Sequence, residues 1–300
     1  MKYGIFIISH GRPWCTTPSA LLKAGYTGEW FIVADNLDDT QYEDLYPNHV
    51  IRFDKPAYMA KVDTVDNFGI VKSSLYARHA CFDLARERHY DCFGLFDDDI
   101  SGFSYRYTDC GVLRCACIRD IDTVFEAYCE FAMCSDAACV AFINENTLIG
   151  GISNRAVVDG YTYEPFNTYI INTHRPQIPF TGSMEEDVSY VYMNNNVGNL
   201  CIAIMPVVYR MASMPWYVDD SGDLASGGCH DVYSHYGEYV CRAYGLITFP
   251  GNFDFVSRSG KFKYYRNNLV RILSPEMRKQ TDITPTKNNN AQICTDGDVK

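Results

Sequence analysis

The sequence predicts an α/β fold, with a mixed, mostly parallel sheet flanked by helices in a single domain. Short apolar runs alternate with segments of helical periodicity, and Gly, Pro, Asp or Asn follows most of the apolar runs. The chain shows no internal repeat and no clear linker. Only the last stretch is uniformly polar, so we assign the domain to residues 1–280 and expect residues 281–300 to form a mobile tail.

The first half of the chain shows the alternation of strands and helices most clearly. In order, we predict a strand at residues 3–8, a helix at 19–23, strands at 30–34 and 50–53, a helix at 67–89 and a strand at 91–96. Strands joined by helices tend to run parallel, so their following loops gather at one edge of the sheet. Ligands of α/β sheets bind at that carboxyl edge, which makes the residues after strands the first candidates for chemistry.

The second half continues the pattern less regularly. We predict a helix at 121–133, strands at 138–142 and 169–172, a helix at 185–193, a strand at 200–209, a loop at 222–228, a helix at 233–244 and a strand at 247–256. The order of elements is still that of an α/β domain, so we expect these strands to extend the same sheet.

Composition and charge exclude several classes of protein. The net charge of -11 argues against a broad phosphate-binding surface, although a local basic groove remains compatible with it. The 13 cysteines lack paired Cys-x-x-Cys spacing and sit mostly in apolar surroundings, which is typical of reduced thiols in a reducing compartment. The first apolar run is too short for a signal peptide, and no stretch has the length of a membrane span. We therefore expect a soluble, cytoplasmic protein.

The acidic triplet Asp97-Asp98-Asp99 directly follows the strand predicted at 91–96. Three adjacent carboxylates are costly to bury, so either solvent or a cation has to accommodate them. Mg²⁺ and Mn²⁺ bind few carboxylates and complete their shells with diphosphate oxygens and water. We predict that Asp97 and Asp99 hold Mn²⁺ or Mg²⁺ beside a diphosphate, with Asp98 in support. A solvated turn that caps a helix is the alternative.

A second acidic cluster, Glu185-Glu186-Asp187, begins the helix predicted at 185–193. Ordinary helix capping also favours acids in a first turn behind an N-cap such as Ser183. If the cluster faces the same crevice, Asp187 or Glu186 can accept a proton from an acceptor hydroxyl and act as the catalytic base. Glu185 is then expected on the acceptor side.

The loops after the first two predicted strands offer groups for a nucleotide. Arginine forks suit phosphates, and a carboxylate accepts hydrogen bonds from a base or a ribose. An arginine on a helix is equally typical of a solvated or paired surface group. The candidate donor-binding residues are Ser9, His10, Arg12, Asp35, Asn36, Arg78 and Asp98.

Two further motifs are candidates for the same crevice. Gly150-Gly151 would allow a sugar or an acceptor to approach the backbone closely, and the pair is equally typical of a turn. Near the C-terminus, His230 is a candidate to complete the metal shell, with His235 as the alternative. A lone histidine is more often structural than a ligand.

The order of these motifs resembles that of the GT-A glycosyltransferases over roughly residues 3–260. IFIISHGRP is similar to their opening strand and donor loop, WFIVADN to the second donor strand, and FDDD to the DXD motif. MEED resembles the later xED motif, whose acid is the base in inverting members. Within that group, the SHGRP opening, VADN, FDDDI and the F-x-G-x-x-x-E-D segment are most similar to the TET-associated glycosyltransferases of bacteriophages.

The resemblance implies a GT-A fold, which is Rossmann-like, and transfer of a sugar from a nucleotide donor, by preference a UDP-sugar. It implies a 5-hydroxymethylpyrimidine in DNA as acceptor, and the host cytoplasm as location if a phage encodes the chain. A basic rim at Lys261, Lys263 and Arg266 is the candidate DNA contact, with a solvated surface run as the alternative. The base role of Asp187 or Glu186 presumes inversion; with retention the same acid would position the acceptor.

Three other functions remain open at the level of sequence. The first is a glycosyltransferase with a protein or glycan acceptor. The second is a nucleotidyltransferase, which also uses paired acids and a metal on an α/β sheet. The third is a degenerate sugar- or DNA-binding module.

Overall fold

The computed structural model describes residues 1–212, residue 244, and the strands at 253–258 and 261–266. Tyr244 has helical conformation and stands at the end of the helix predicted at 233–244. The rest of that helix, the loop predicted at 222–228 and the boundary at residue 280 lie outside the described residues. None of the helices in the described part of the chain combines the length and the apolar character that crossing a bilayer requires.

The described elements follow the predicted order, with several additions. They are β1 (Tyr3–Ile8), α1 (Thr17–Lys23), β2 (Trp30–Asp35), α2 (Tyr42–Leu45), β3 (Val50–Phe53), α3 (Lys55–Lys61), α4 (Leu75–Glu87), β4 (Cys92–Asp97), β5 (Ile100–Asp109), β6 (Val112–Cys117), α5 (Ile121–Cys134), β7 (Cys139–Asn144), α6 (Arg155–Asp159), β8 (Tyr161–Thr162), β9 (Thr168–Asn172), α7 (Glu186–Asn196), β10 (Cys201–Met211), β11 (Phe253–Arg258) and β12 (Lys261–Arg266). Short 3₁₀ helices span Glu145–Leu148 and Gly151–Ser153.

The large sheet has the strand order β3-β2-β1-β4-β9-β7-β10-β5-β6, and β8 also pairs with β10. The neighbours β3, β2, β1 and β4 are parallel, as are β7 and β10, whereas the pairings made by β9, β5 and β8 are antiparallel. This mixed sheet with flanking helices confirms the predicted single α/β domain. Because β9 is antiparallel to both β4 and β7, the carboxyl ends of β1, β2, β4 and β7 share one edge. The strands β11 and β12 pair in a two-stranded sheet.

Both faces of the sheet are covered by helices, as alternation along β1 shows. Ile5 and Ile7 pack in one cluster with residues of α1 and α5, whereas Phe6 and Ile8 pack in another with residues of α4 and α7. Side chains alternate between the two faces of a strand, so an uninterrupted apolar strand requires cover on both sides. Each such buried side chain stabilises the fold by about 1.5–3 kcal/mol relative to exposure.

The long helix predicted at 67–89 was placed too early, because α4 begins only at Leu75. Residues 67–74 form an irregular loop with a turn at residues 71–72 instead. Asp66 Oδ1 accepts the Phe68 N–H at 3.1 Å, and Gly69 adopts a φ of 66°. Hydrogen bonds from a side chain to the nearby backbone compete with those of a helix. The left-handed conformation of Gly69 also prevents a continuous helix through this segment.

The hairpin formed by β5 and β6 was not predicted. Its tight turn contains Cys110 and Gly111, with φ values of 47° and 75°, the positive sign that a two-residue hairpin turn of this class requires. The two strands extend past the apolar core and expose most of their outer positions. Polar residues interrupt the apolar pattern of β5, and β6 is mostly exposed although its sequence, VLRCAC, is largely apolar, so neither strand shows the buried run by which the other strands were recognised.

Candidate active site

The acidic triplet lies at the carboxyl end of β4 and is held by the start of α1. Thr17 Oγ1 donates to the Asp97 carbonyl at 2.6 Å and accepts from the Ile100 N–H at 2.9 Å. The Thr16 N–H donates to the Asp98 carbonyl at 2.9 Å. Because these backbone groups are paired, the turn has a fixed shape, and each of its carboxylates meets a different environment.

Asp98 points inward and joins the triplet to the loop after β1. It is 3% exposed, and its carboxylate accepts from Arg12 Nη1 at 2.8 Å and from Ser9 Oγ at 2.6 Å. Ser9 Oγ also lies 2.8 Å from the Tyr42 hydroxyl. Burial raises the pKa of Asp98, and the positive charge of Arg12 opposes that rise. Three of the predicted donor-binding residues, Ser9, Arg12 and Asp98, therefore bind one another and shape the loop.

Asp97 belongs to a polar network that crosses the sheet. Its Oδ2 accepts from Asn167 Nδ2 at 2.5 Å, and Asn167 Oδ1 accepts from the Tyr209 hydroxyl at 2.8 Å. Asn144 Nδ2 donates to the same hydroxyl at 3.0 Å. Asn167 adopts a φ of 61°, a left-handed conformation that asparagine tolerates better than most residues. The network links β4, the residue directly before β9, β10 and β7, and it fixes the direction of Asp97.

Asp99 is the carboxylate of the triplet that lacks a cationic or hydrogen-bonding partner for one of its oxygens. Its Oδ1 is buried and makes no hydrogen bond within the described part of the chain. Burial, followed by the charges of Asp97 and Asp98, raises the pKa of Asp99 to about 7. A partly buried carboxylate whose inner oxygen is unpaired is stabilised either by a proton or by a cation.

Arg78 connects the triplet to the second acidic cluster. Its Nη2 lies 3.4 Å from Asp97 Oδ1, and its Nε donates to Glu186 Oε1 at 3.0 Å. The side chain is 5% exposed, and its guanidinium carbon lies 5.3 Å and 5.1 Å from the ring centres of Tyr169 and Phe180. Although burial opposes it, the charges of Asp97 and Glu186 raise the pKa of Arg78. Arg78 is therefore an internal cation that holds both acidic segments.

Asp187 is the acid of the second cluster that is left available. Its Oδ1 accepts the Val188 N–H at 2.7 Å, and within the described chain no further hydrogen bond to its carboxylate is made. Burial first, and then the charges of Glu186 and Glu185, raise the pKa of Asp187. Glu185, at the N-cap of α7, has a φ of 50° and is half-buried. Glu186 is 5% exposed and bound by Arg78, so the two predicted base candidates stand in different environments.

Asp35, at the end of β2, organises the loop that follows this strand. Its Oδ2 lies 2.8 Å from His10 Nδ1 and accepts from Lys55 Nζ at 3.0 Å. Burial works against ionisation, but the hydrogen bonds from His10 and Lys55 outweigh it and lower the pKa of Asp35 to about 2. Asn36 is exposed, and its Oδ1 accepts the Lys55 N–H at 3.1 Å. This group stands beside the loop that carries Ser9, at the same edge of the sheet.

The remaining predicted residues are less closely associated with the acids. Gly150 and Gly151 follow β7 at the shared carboxyl edge, with φ values of 105° and 60°, and a Cβ atom at either position would meet no described atom closer than 4.0 Å. Their loop exposes 82% of Ile149. His230 and His235 lie outside the described residues, so the metal role predicted for His230, with His235 as the alternative, stays a prediction.

The donor set of the triplet fits a hard divalent cation. Asp97 and Asp99 come from one turn, and a buried oxygen of Asp99 has no partner in the described chain. Over the residues that the structure describes, no group of three or more His, Cys, Asp or Glu side chains could hold a metal by itself. Mg²⁺ in phosphate sites is bound by one or two carboxylates and completed by substrate phosphates and water, so it requires no such group.

An α/β domain of GT-A type, with an acidic triplet and a second acidic cluster joined through Arg78, has the arrangement expected of a glycosyltransferase. Comparison with protein families agrees. The model of the family described as TET-Associated Glycosyltransferase matches residues 3–214, more than half of the 300-residue chain. The chain therefore belongs to the TET-associated glycosyltransferases, and it is an enzyme. No curated protein matches it.

Several functional residues were missed by sequence reasoning. Lys55 begins the short helix α3 and is 3% exposed, although an isolated lysine after a strand is usually solvated. Asn167 and Tyr209 lie in segments remote from the triplet along the chain, and only the sheet pairing brings them to Asp97. The one local signal was Asp54-Lys55-Pro56, a helix start directly after a strand.

Proposed function

We propose that this glycosyltransferase takes its sugar from a nucleotide-sugar donor, preferentially a UDP-sugar, in the presence of Mg²⁺ or Mn²⁺. We further propose that it transfers the sugar to the hydroxyl of a 5-hydroxymethylpyrimidine in DNA. The main support for metal dependence is Asp99 Oδ1. This oxygen is buried beside Asp97 and Asp98 and has no hydrogen-bond partner within the described chain.

The charge of the site supports a bound cation. The triplet, Glu186 and Asp187 supply five carboxylates, whereas Arg12 and Arg78 are the cations that contact them in the described chain. Unpaired buried carboxylates destabilise a fold unless a cation or protons neutralise them. Asp97 and Asp99 would hold Mg²⁺ or Mn²⁺, which when bound neutralises charge on the leaving diphosphate.

The chain's own residues divide the remaining tasks. His10 and Lys55 fix Asp35, and the loop that carries Asp35 binds the nucleoside of the donor. Asp187 keeps a carboxylate oxygen without a partner among the described residues, so it can accept the proton of the acceptor hydroxyl. Glu186 is committed to Arg78, which favours Asp187 as the base if the reaction inverts configuration. With retention, Asp187 would instead orient the acceptor.

The proposal of a DNA acceptor rests on the family and on the resemblance of the motifs. The net charge of -11 favours contact with few phosphates, as when one flipped base enters a pocket. The candidate basic rim, Lys261, Lys263 and Arg266, belongs to β12, which pairs with β11. A small contact of this kind predicts a shallow dependence of DNA affinity on salt.

The decisive experiment measures the mass of DNA after incubation with the full chain. Duplexes of one sequence, with cytosine or 5-hydroxymethylcytosine at one position, are incubated with a panel of nucleotide sugars and Mn²⁺. We expect a hexose-sized or similar mass increase only on the modified duplex, abolished by EDTA and by Asp99→Asn but not by Asp109→Asn, which removes an exposed carboxylate of β5.

Other outcomes separate the parts of the proposal. Transfer to a protein or a glycan, with none to modified DNA, would overturn the proposed DNA acceptor. The proposals of a nucleotide-sugar donor and a bound metal would still stand. Transfer that EDTA and Asp99→Asn leave unchanged would overturn the metal site. Incorporation of a nucleotide from a nucleoside triphosphate would instead identify a nucleotidyltransferase.

A further inference from the structure

Three remote segments of the chain meet at the carboxylate of Asp66. Asp66 Oδ2 accepts from the Ser183 hydroxyl at 2.6 Å and from the Ser183 N–H at 3.2 Å. The Tyr244 hydroxyl lies 2.6 Å from the same oxygen and 3.2 Å from the Thr64 carbonyl. A single carboxylate oxygen thus joins the loop before α4, the loop before α7 and a residue far along the chain.

The backbone between these groups is built for close approach. Gly182 has a φ of 101°, and a Cβ atom there would lie 3.0 Å from the Tyr244 ring and hydroxyl. Ser183 and Tyr244 are each 3% exposed. Glycine adopts this conformation without strain, and a Cβ atom here would press on the tyrosine ring. The junction is therefore packed as well as hydrogen-bonded.

The same loop leads directly into the second acidic cluster. Ser183 is four residues before Asp187, and Glu185 between them is held in a left-handed conformation. On the other side of the cluster, Glu186 is fixed by Arg78 and by a short hydrogen bond from the Ser74 hydroxyl. The segment 182–187 is thus anchored at both ends, and Asp187 lies within the anchored stretch.

We propose that Asp66 is a positioning residue, which clamps the segment 182–187 against Tyr244 and so sets the place of the Asp187 carboxylate during sugar transfer. This inference rests on the proposed role of Asp187. Tyr244 lies beyond residue 214, where the family match ends. The part of the chain outside the match therefore contributes to the active centre through this clamp.

The test compares Asp66→Asn with Asp63→Asn in the full chain. Asp63 is a matched control, because it lies in the same loop, is exposed and accepts the N–H of its near neighbour Val65. For Asp66→Asn we expect kcat for sugar transfer to fall on the order of 10–100-fold, the effect of a small misplacement of a reacting group. The KM for the donor should change less than about two-fold, because Ser183 and Tyr244, which bind Asp66, lie outside the donor loops.

Tyr244→Phe removes one hydroxyl and serves as the second variant. It should lower kcat in the same direction, and its combination with Asp66→Asn should be no worse than Asp66→Asn alone, since the two act as a unit. Equal kcat values for Asp66→Asn, Tyr244→Phe and Asp63→Asn would overturn the clamp. So would a fall in donor affinity with kcat unchanged.

Amide hydrogen exchange tests the clamp without any substrate. We expect the peptide that contains residues 183–188 to exchange faster in Asp66→Asn and Tyr244→Phe than in wild type or Asp63→Asn. Unchanged exchange would refute the clamp whatever the activity. A wild-type chain that transfers no sugar would count against the proposed function, whereas the exchange measurement would still decide on the clamp.

Discussion

Arg78 Nε lies 3.0 Å from Glu186 Oε1, although 108 residues of chain separate the two. The same guanidinium reaches Asp97 with Nη2 at 3.4 Å. One cation therefore holds together the strand end that carries the acidic triplet and the helix that carries Asp187. Arg78 is thus an internal support, and its Nη1 is buried without a hydrogen-bond partner within the described chain, so its predicted role in binding donor phosphates stays a prediction.

The first prediction concerns the stability that depends on Arg78. Arg78→Met leaves Glu186 and Asp97 without their buried cation, and we expect a loss of about 3–5 kcal/mol in the free energy of unfolding. Arg86→Met is the matched control on the same helix. Arg86 is 76% exposed and pairs with Asp83 one turn away, so its loss should cost less than about 1 kcal/mol. Urea unfolding measures both, and equal losses would show that Arg78 is not an essential buried ion.

The second prediction concerns metal binding and pH. A metal displaces the proton from its carboxylate ligands, so affinity depends on their ionisation. With the pKa of Asp99 at about 7, affinity for Mn²⁺ should fall about ten-fold for each pH unit below 7 and level off above it. Titration of the full chain with Mn²⁺, followed by electron paramagnetic resonance at pH 6 and pH 8, measures this. Equal affinities at the two values would contradict it.

The third prediction separates the two candidate bases. A base must be ionised to act, so kcat should rise with pH through the pKa of Asp187, which burial and its acidic neighbours have raised above that of an ordinary aspartate. In Asp187→Asn this acid limb should disappear, with kcat lowered by a factor on the order of 10²–10⁴.

Glu186→Gln provides the contrast. It weakens the bond to Arg78, so it should lower stability while the acid limb of the pH profile remains. An acid limb that is retained in Asp187→Asn and lost in Glu186→Gln would reverse the assignment. The pH dependence of kcat under saturating donor, acceptor and Mn²⁺ decides between the two, because saturating metal removes the separate effect of pH on metal binding.

The acidic triplet and the end of β2 could be found from sequence because their signals are local. Asp97 and Asp35 each follow an apolar strand directly, and parallel strands bring such ends to one edge. The partners of these residues could not be found in this way. Asn167 reaches Asp97 because β9 pairs with β4, and Lys55 reaches Asp35 because β3 pairs with β2 in a register that sets Phe53 opposite Asp35. Side-chain contacts of this range depend on packing, which periodicity does not encode.

The roles within the second acidic cluster could not be predicted from sequence either. Its sequence, Glu185-Glu186-Asp187, is equally typical of a helix N-terminus, and nothing in it distinguishes the three acids. The structure separates them by environment. Arg78 binds Glu186, backbone strain marks Glu185, and Asp187 keeps an oxygen available within the described chain. Roles within an acidic run are thus set by remote residues, so only the three-dimensional arrangement could assign them.

The last prediction concerns the buried pair of Asp35 and Lys55. Both side chains are 4% exposed, and their charged atoms are 3.0 Å apart. Asp35→Asn leaves the Lys55 ammonium buried beside a neutral amide, so we expect a loss of about 3–5 kcal/mol at pH 7. Asp39→Asn, which changes an exposed acid of the same loop, should cost less than about 0.5 kcal/mol.

The effect of Asp35→Asn must also depend on pH with a defined sign. The pKa of Asp35 is about 2 in the folded chain, below the ordinary aspartate value of 3.8, so its ionised form stabilises the fold above that value. This contribution is lost as the pH falls from about 4 through 2. The difference in unfolding free energy between wild type and Asp35→Asn should therefore be full at pH 6 and shrink towards pH 2. A difference that is constant over this range would show that Asp35 acts by shape and not by charge.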